Sequence, residues 1–221
     1  MLGSYDYPRS HRIFEFLSIG AFVVLAFFAS RDSISGLAAR PFWPTALVAL
    51  VAAIAGYALA DFLSGIVHFL LDNFGSPDTP VIGQKFVKPF RDHHIDPLEM
   101  THGDFVAVNA DNIFICLPVL IPMVIFLDAT AHPAIATFLL ALLAAVVMTN
   151  QLHKWAHLPT VPRAVQFLQT HGVVLSRAHH RQHHTGNFDR NYCITWGRMD
   201  AVLNRAVGGW HRPLSGRRQA L

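Results

Sequence analysis

Charge is what this sequence has least of. Charged side chains make up 14% of its 221 residues, against about one quarter in a typical soluble domain. Hydrophobic residues reach 52%, so the composition argues against a soluble fold and for a membrane protein. Cysteine is scarce too. Cys116 lies in an apolar run and Cys193 in the polar tail, with neither a CxxC nor a disulfide framework, as expected on a reducing side of a membrane. No internal repeat or low-complexity linker divides the chain, and its length suits one domain spanning 1–221. From Lys154 onward ten Lys/Arg face only Asp189 and Asp200. That basic tail carries no nucleic-acid motif, so a membrane-facing cytoplasmic surface accounts for it better. The N-terminus is basic (Arg9, Arg12) and then apolar, yet no small-residue cleavage site leads into a soluble domain. It reads as a retained first helix. Flavin, haem and iron–sulfur motifs are missing as well, so any redox chemistry here needs electrons from a partner.

Four apolar segments are present, and about 20 residues suffice to span a bilayer. They run from about 13 to 29, 44 to 71, 113 to 127 and 133 to 157. The second exceeds a bilayer's need, and its end from Asp61 on is expected to emerge while staying helical. The third is short and holds Pro118 and Pro122, so a kink or an imperfect span is expected. The tight connection Asp128–His132 makes segments three and four a helical hairpin. Of the seventeen Lys/Arg, fifteen fall in the N-terminus, the 72–112 loop and the tail. The positive-inside rule then places both termini in the cytoplasm. The expected class is an all-α integral membrane protein with about four transmembrane helices and a cytoplasmic, His-rich helical cap.

Histidines crowd that same side. The run His179-His180-Arg181-Gln182-His183-His184 sets four imidazoles within six residues. In a helix it pairs His179 with His183 and His180 with His184 at i,i+4. Imidazole suits Zn, Cu, Fe and Ni, so the run says metal without saying which. A solvated tract that binds metal adventitiously is the competing account. His68/Asp72 and His153/His157 repeat the i,i+4 spacing at helix exits, where a lone histidine would be an ordinary interface residue. Arg91-Asp92-His93-His94-Ile95-Asp96-Pro97 adds a loop pair, and His102 follows eight residues beyond His94. The candidate ligands are thus His68, Asp72, His93, His94, His102, His153, His157, His179, His180, His183 and His184. One structural zinc needs four ligands. This many donors fits two metals, and an O₂-activating two-iron centre is their natural use.

Ligating histidines usually donate their other ring N–H to a carboxylate or carbonyl. Asp61, Asp96, Asp104, Asn109, Asp111, Asn112 and Asn150 are candidates for such support. Asp111-Asn112 could equally cap the third helix. Lys154 either meets a lipid phosphate or snorkels. Trp43, Trp155 and Trp210 read as interfacial anchors, and His11, His132, His171 and His211 as ordinary surface or interface residues.

Several segments now share an order: Asp61 to His68 with Asp72, Phe90 to Pro97, Met100-Thr101-His102, Asn109 to Asn112, Thr149 to His157, the 179–184 run, and Tyr192-Cys193-Ile194-Thr195. Together they resemble the plasmanylethanolamine desaturase family, which includes the myxobacterial CarF-type and animal Kua proteins. The plant chloroplast palmitate desaturase acting on phosphatidylglycerol is a relative. The likeness covers roughly 61–197. It implies a membrane lipid desaturase that uses two iron ions, O₂ as co-substrate and two external electrons. CarF-type members turn the 1-O-alkyl chain of an ether phospholipid into the 1-O-alk-1′-enyl chain of a plasmalogen. The plant relatives desaturate an acyl chain near its carboxyl end. The family usually carries Pro-His where this chain has Asn187-Phe188, and Thr-Thr-Gly where it has Thr195-Trp196-Gly197. Phe188 can neither ligate a metal nor move a proton, which bears on substrate choice more than on reaction class.

The expected partners are a membrane phospholipid and an acidic electron donor, such as a cytochrome b5-like protein or ferredoxin, docking on the basic surface. A hydroxylase would share the metal chemistry, and product analysis separates the two. A metal transporter would place ionisable groups inside its spans, which are nearly free of them. A metal-binding adaptor without catalysis is the remaining alternative.

Overall fold

A computed structural model describes residues 8–208. Trp210 and His211 lie outside the described residues. The described chain is helical, with no strand among the described residues: α1 Arg9–Ala38, α2 Phe42–Asn73, α3 Lys88–His93, α4 Phe105–Phe126, α5 Pro133–His157, α6 Arg163–Thr170, α7 Arg177–His183 and α8 Asp200–Val207. A π-turn, Gly83–Val87, leads into α3, and a 3-10 turn, Glu99–Thr101, precedes α4. Helices α1, α2, α4 and α5 are long and apolar enough to cross a membrane. At about 1.5 Å per residue, the 32 residues of α2 exceed a hydrocarbon core of roughly 30 Å.

Two boundaries differ from the sequence expectation. The first helix runs on to Ala38, so the 30–43 connection shrinks to a few residues. The third span begins at Phe105 rather than near 113, because Asp104 caps it by accepting the Ala107 N–H at 2.8 Å. Asp111 and Asn112 therefore lie inside α4 and do not cap it. Pro118 and Pro122 sit within the helix at i,i+4. Each removes one backbone bond, and α4 still continues to Phe126.

The chain divides into two compact units, 1–60 with 103–151 and 61–102 with 152–221. In the first, Ala29, Cys116, Leu120, Met123, Ala129, Ala136 and Leu143 form the core. Helices approach closely at glycine: a Cβ at Gly36 would meet the Thr130 carbonyl, and one at Gly56 the Phe138 carbonyl. Asn112 donates to the Val146 carbonyl and Asn150 to the Val108 carbonyl, both at 3.0 Å, which ties α4 to α5. Arg12 binds Asp104 with both terminal guanidinium nitrogens. That guanidinium holds the Asp104 carboxyl below the usual carboxylate range. Phe16, Leu17, Val24, Leu47 and Val51 are exposed, as lipid-facing side chains are.

In the second unit, Phe69, Tyr192, Cys193 and Leu203 form one core and Ala156, Leu175 and Ile194 another. The Arg91 guanidinium donates to the Gly75 carbonyl at 2.6 Å, closing the end of α2. Gly65 marks a close approach between α2 and the 193–203 region. A Cβ there would stand 2.5 Å from Cys193 Sγ and 2.6 Å from Leu203 Cδ2. Gly65→Ala is expected to destabilise the unit by about 1–3 kcal/mol through overpacking. Thermal unfolding in detergent checks this, and an unchanged midpoint would count against that packing.

Candidate metal centre

Each group of candidate ligands is placed by a helix end. His68 and Asp72 occupy the last turns of α2, and His153 and His157 the last turns of α5. His93 ends α3, and His94 is its C-cap. Helix α7 is short and is capped by Ser176, whose Oγ accepts the His179 N–H at 3.2 Å. His180 and His183 on α7 and His184 at its C-cap share a face at i,i+3 and i,i+4. His179 is their neighbour in sequence but points elsewhere.

The fold gathers these side chains into two groups. His93, His153, His157, His180 and His184 form one, and His68, Asp72, His94 and His183 the other. Within each group the nearest ligand atoms all lie within 4.8 Å of one another. In the five-imidazole group, Nε2 of His180 stands 2.8 Å from His153 Nε2, 2.8 Å from His157 Nε2 and 3.0 Å from His184 Nε2. His153 and His157 are 3.1 Å apart through the same atoms. A neutral imidazole carries one N–H, so one Nε2 cannot bond three others. The nitrogens converge as ligands do. Donors about 2.1 Å from one ion stand about 3.0 Å apart at right angles and about 3.4 Å apart at tetrahedral angles.

In the second group Asp72 Oδ2 lies 3.0 Å from His94 Nε2 and 3.4 Å from both His68 Nε2 and His183 Nε2. The outer nitrogens of two of these rings are fixed. His68 Nδ1 bonds the Tyr192 carbonyl at 3.0 Å, and His183 Nδ1 the Arg190 carbonyl at 2.7 Å. Nδ1 is therefore the N–H, and Nε2 keeps its lone pair facing the group. The His68 and His183 Nε2 atoms, both ring nitrogens of His93, and Asp72 Oδ1 are buried without a hydrogen-bond partner among the described residues. Such atoms are costly unless something binds them. The donor set and its orphaned atoms thus fit metal ions in both groups.

Burial keeps these imidazoles in the form a metal needs. It lowers the pKa of His93 to about 2, with His157 the next cause, and pushes His180 and His184 well below the usual histidine value. Neutral imidazole is the ligating species.

His102 and His179 stand outside both groups. His102 is exposed after the 3-10 turn, and His179 Nε2 is 2.7 Å from Asp200 Oδ2. Of the expected supporting residues, Asp61 is fully buried beneath the 195–199 segment and accepts the Trp196 N–H at 2.7 Å. Asp96 is exposed and accepts the Leu98 N–H, and Asp111 is exposed. Asn109 donates to the Phe105 carbonyl at 2.8 Å, and Lys154 is half-buried. Phe188 adopts a left-handed φ of 55° and sets its ring 4.7 Å from that of His94. Sequence reasoning did not assign Asp200, Tyr192 or the Arg190 carbonyl. Tyr192 was visible only as part of a motif, and Asp200 had no spacing signal.

Four membrane-length helices and two buried groups of imidazoles define an integral membrane protein able to hold metal ions. The chain belongs to the lipid desaturase family, whose domain model matches residues 57–212. It is 42% identical over 155 residues to the plasmanylethanolamine desaturase of Myxococcus xanthus, covering 70% of this chain and 55% of that protein. To plasmanylethanolamine desaturase 1 of Mus musculus it is 36% identical over 200 residues, covering 86% of this chain and 72% of that one. To the chloroplastic fatty acid desaturase 4 of Arabidopsis thaliana it is 34% identical over 159 residues, covering 71% of this chain and 48% of that one. The chain thus spans about half the length of two of these relatives. No solved structure matches it.

Proposed function

We propose that this protein is an O₂-dependent lipid desaturase that makes the vinyl-ether double bond of plasmalogens from an alkyl-ether phospholipid. The observation that carries the substrate is its 42% identity to a plasmanylethanolamine desaturase, against 34% to the plant enzyme. Two hydrogens leave adjacent carbons of the alkyl chain, and with two external electrons and two protons O₂ becomes two waters. Two iron ions held by the two groups would supply the O₂ reduction and the hydrogen removal.

The residues' own share is holding and exclusion. The carbonyls of Tyr192 and Arg190 fix the rings of His68 and His183 so that their Nε2 lone pairs stay aimed inward. Burial of His68, His180 and His183 keeps bulk water from the centre. Exposed Arg177, Arg181 and Arg190 surround α7. They would attract an acidic electron donor of the cytochrome b5 or ferredoxin kind, and a lipid headgroup. The lysine and arginine asymmetry supports a cytoplasmic position for this surface.

Lipid mass spectrometry tests the reading. A host without plasmalogens expresses the protein under air and is supplied with an alkyl-ether phospholipid. Acid-labile vinyl-ether lipid is the expected product. An acyl chain two hydrogens lighter beside untouched ether lipid would move the substrate to the class named for the plant relative. A hydroxylated chain would instead mark a hydroxylase.

A further inference from the structure

The two groups differ in charge and in how their rings are held, and both differences favour the same group. The five-imidazole group has no carboxylate. Its donors are all neutral, so a divalent ion there keeps its full charge in a buried setting, which is costly. Asp72 gives the other group a negative charge touching three imidazoles at 3.0–3.4 Å.

The outer nitrogens add a second, independent asymmetry. In the Asp72 group, two of the three rings, those of His68 and His183, are already oriented by backbone carbonyls. In the five-imidazole group, the Nδ1 atoms of His93, His180 and His184 are buried with no partner among the described residues. When Nε2 of His180 and His184 ligates, each Nδ1 must carry the proton and has nothing to donate to. Outer partners of ligating histidines are worth about 10- to 100-fold in metal affinity. The larger donor number of the five-imidazole group acts the other way. It is opposed both by the missing charge and by the three of its five rings whose outer nitrogens lack support.

We infer that the two sites are unequal and load in order. His68, Asp72, His94 and His183 take the first and tighter metal ion, and the five-imidazole group takes the second and more labile one. This rests on the metal-centre reading under Proposed function. Depletion of iron would then yield a protein with one ion per chain before it yields an empty one.

The test is metal uptake, read without activity. Full-length protein in detergent is stripped of metal and dialysed anaerobically against buffered Fe(II), and bound iron is counted per chain. The expected isotherm has two steps of one equivalent, separated by about 10- to 100-fold in free iron. Asp72→Asn is expected to abolish the tighter step, and His157→Ala the weaker one alone. A single step of two equivalents overturns the inference, as does loss of the weaker step in Asp72→Asn. The isotherm of the unaltered protein needs no variant to fold. Mössbauer spectra of ⁵⁷Fe at one and two equivalents give a second readout: the second ion should add a distinct quadrupole doublet. Identical doublets would again overturn the ordering while leaving a metal centre in place. A folded protein that takes up no iron at all would sink both readings together.

Discussion

His183→Ala is expected to leave no detectable vinyl-ether lipid under conditions where the unaltered protein makes it. The reason is geometric. His183 is fully buried, and it is held at Nδ1 by the Arg190 carbonyl at 2.7 Å. Its Nε2 is 3.4 Å from Asp72 and has no hydrogen-bond partner among the described residues. Alanine removes one of four donors from the group that carries the only carboxylate in either cluster. A ligand is worth at least what its outer partners are, so a loss of more than about 100-fold in product is the expectation. His102→Ala supplies the contrast, because that side chain is exposed and outside both groups. It should keep most of the product. If His183→Ala stays active while its iron content is normal, the Asp72 group is not where the chemistry depends on metal. If His102→Ala is inactive with both ions bound, its part lies in lipid or donor recognition.

The contrast shows what the sequence could and could not say. The i,i+4 pairs His68/Asp72 and His153/His157 were readable because helix geometry puts such residues on one face whatever surrounds them. The division of the donors into two groups was not. Adjacent residues part company: His93 lies in one group and His94 in the other, and His183 and His184 separate likewise. Side chains one residue apart on a helix diverge by roughly 100°. A run of histidines at a helix end can therefore face two groups of donors, and only the fold decides which ring joins which. The same geometry turns His179 to Asp200, a partner 21 residues away that no spacing rule selects. Helix boundaries depended on a single cap. Asp104, rather than the more polar-looking Asp111-Asn112, starts α4, so the amides of Asn109, Asn112 and Asn150 bond backbone carbonyls of α4 and α5.

In the sequence Asp61 read as a candidate partner for a ligating histidine; the structure instead sets its carboxylate on the backbone of the 195–199 segment. Its Oδ1 accepts the backbone N–H groups of Trp196 at 2.7 Å, Gly197 at 2.9 Å and Thr195 at 3.3 Å, and its Oδ2 that of Met199 at 3.0 Å. Ser64, one turn on, accepts the Ile194 N–H at 3.1 Å, and Asp200 that of Cys193 at 2.9 Å. Together these three side chains hold an irregular, buried stretch of backbone that has no helix or sheet to satisfy it. The loop also needs Gly197, whose φ is 81° and whose Cβ would stand 2.8 Å from His179 Cδ2. Immediately before it lie the Arg190 and Tyr192 carbonyls that orient His183 and His68.

Asp61→Ala would leave four backbone N–H groups without their acceptor. Each costs about 1–3 kcal/mol when buried. With partial relaxation, the loss should be about 4 kcal/mol, or a fall of about 8–16 °C in the unfolding midpoint for a chain of this size. Asp61→Asn keeps one acceptor oxygen and brings an NH₂ against the fourth donor, so its fall should be smaller but clear. The effect should also reach the metal. Freeing the 195–199 segment loosens the neighbouring carbonyls, so the tighter iron step should weaken in Asp61→Asn while both equivalents still bind. Thermal unfolding and iron uptake on the same preparations separate the possibilities. A destabilised protein with an unchanged tight step would make Asp61 a support of the fold alone. A weakened tight step at nearly normal stability would make it a positioning residue for His68 and His183.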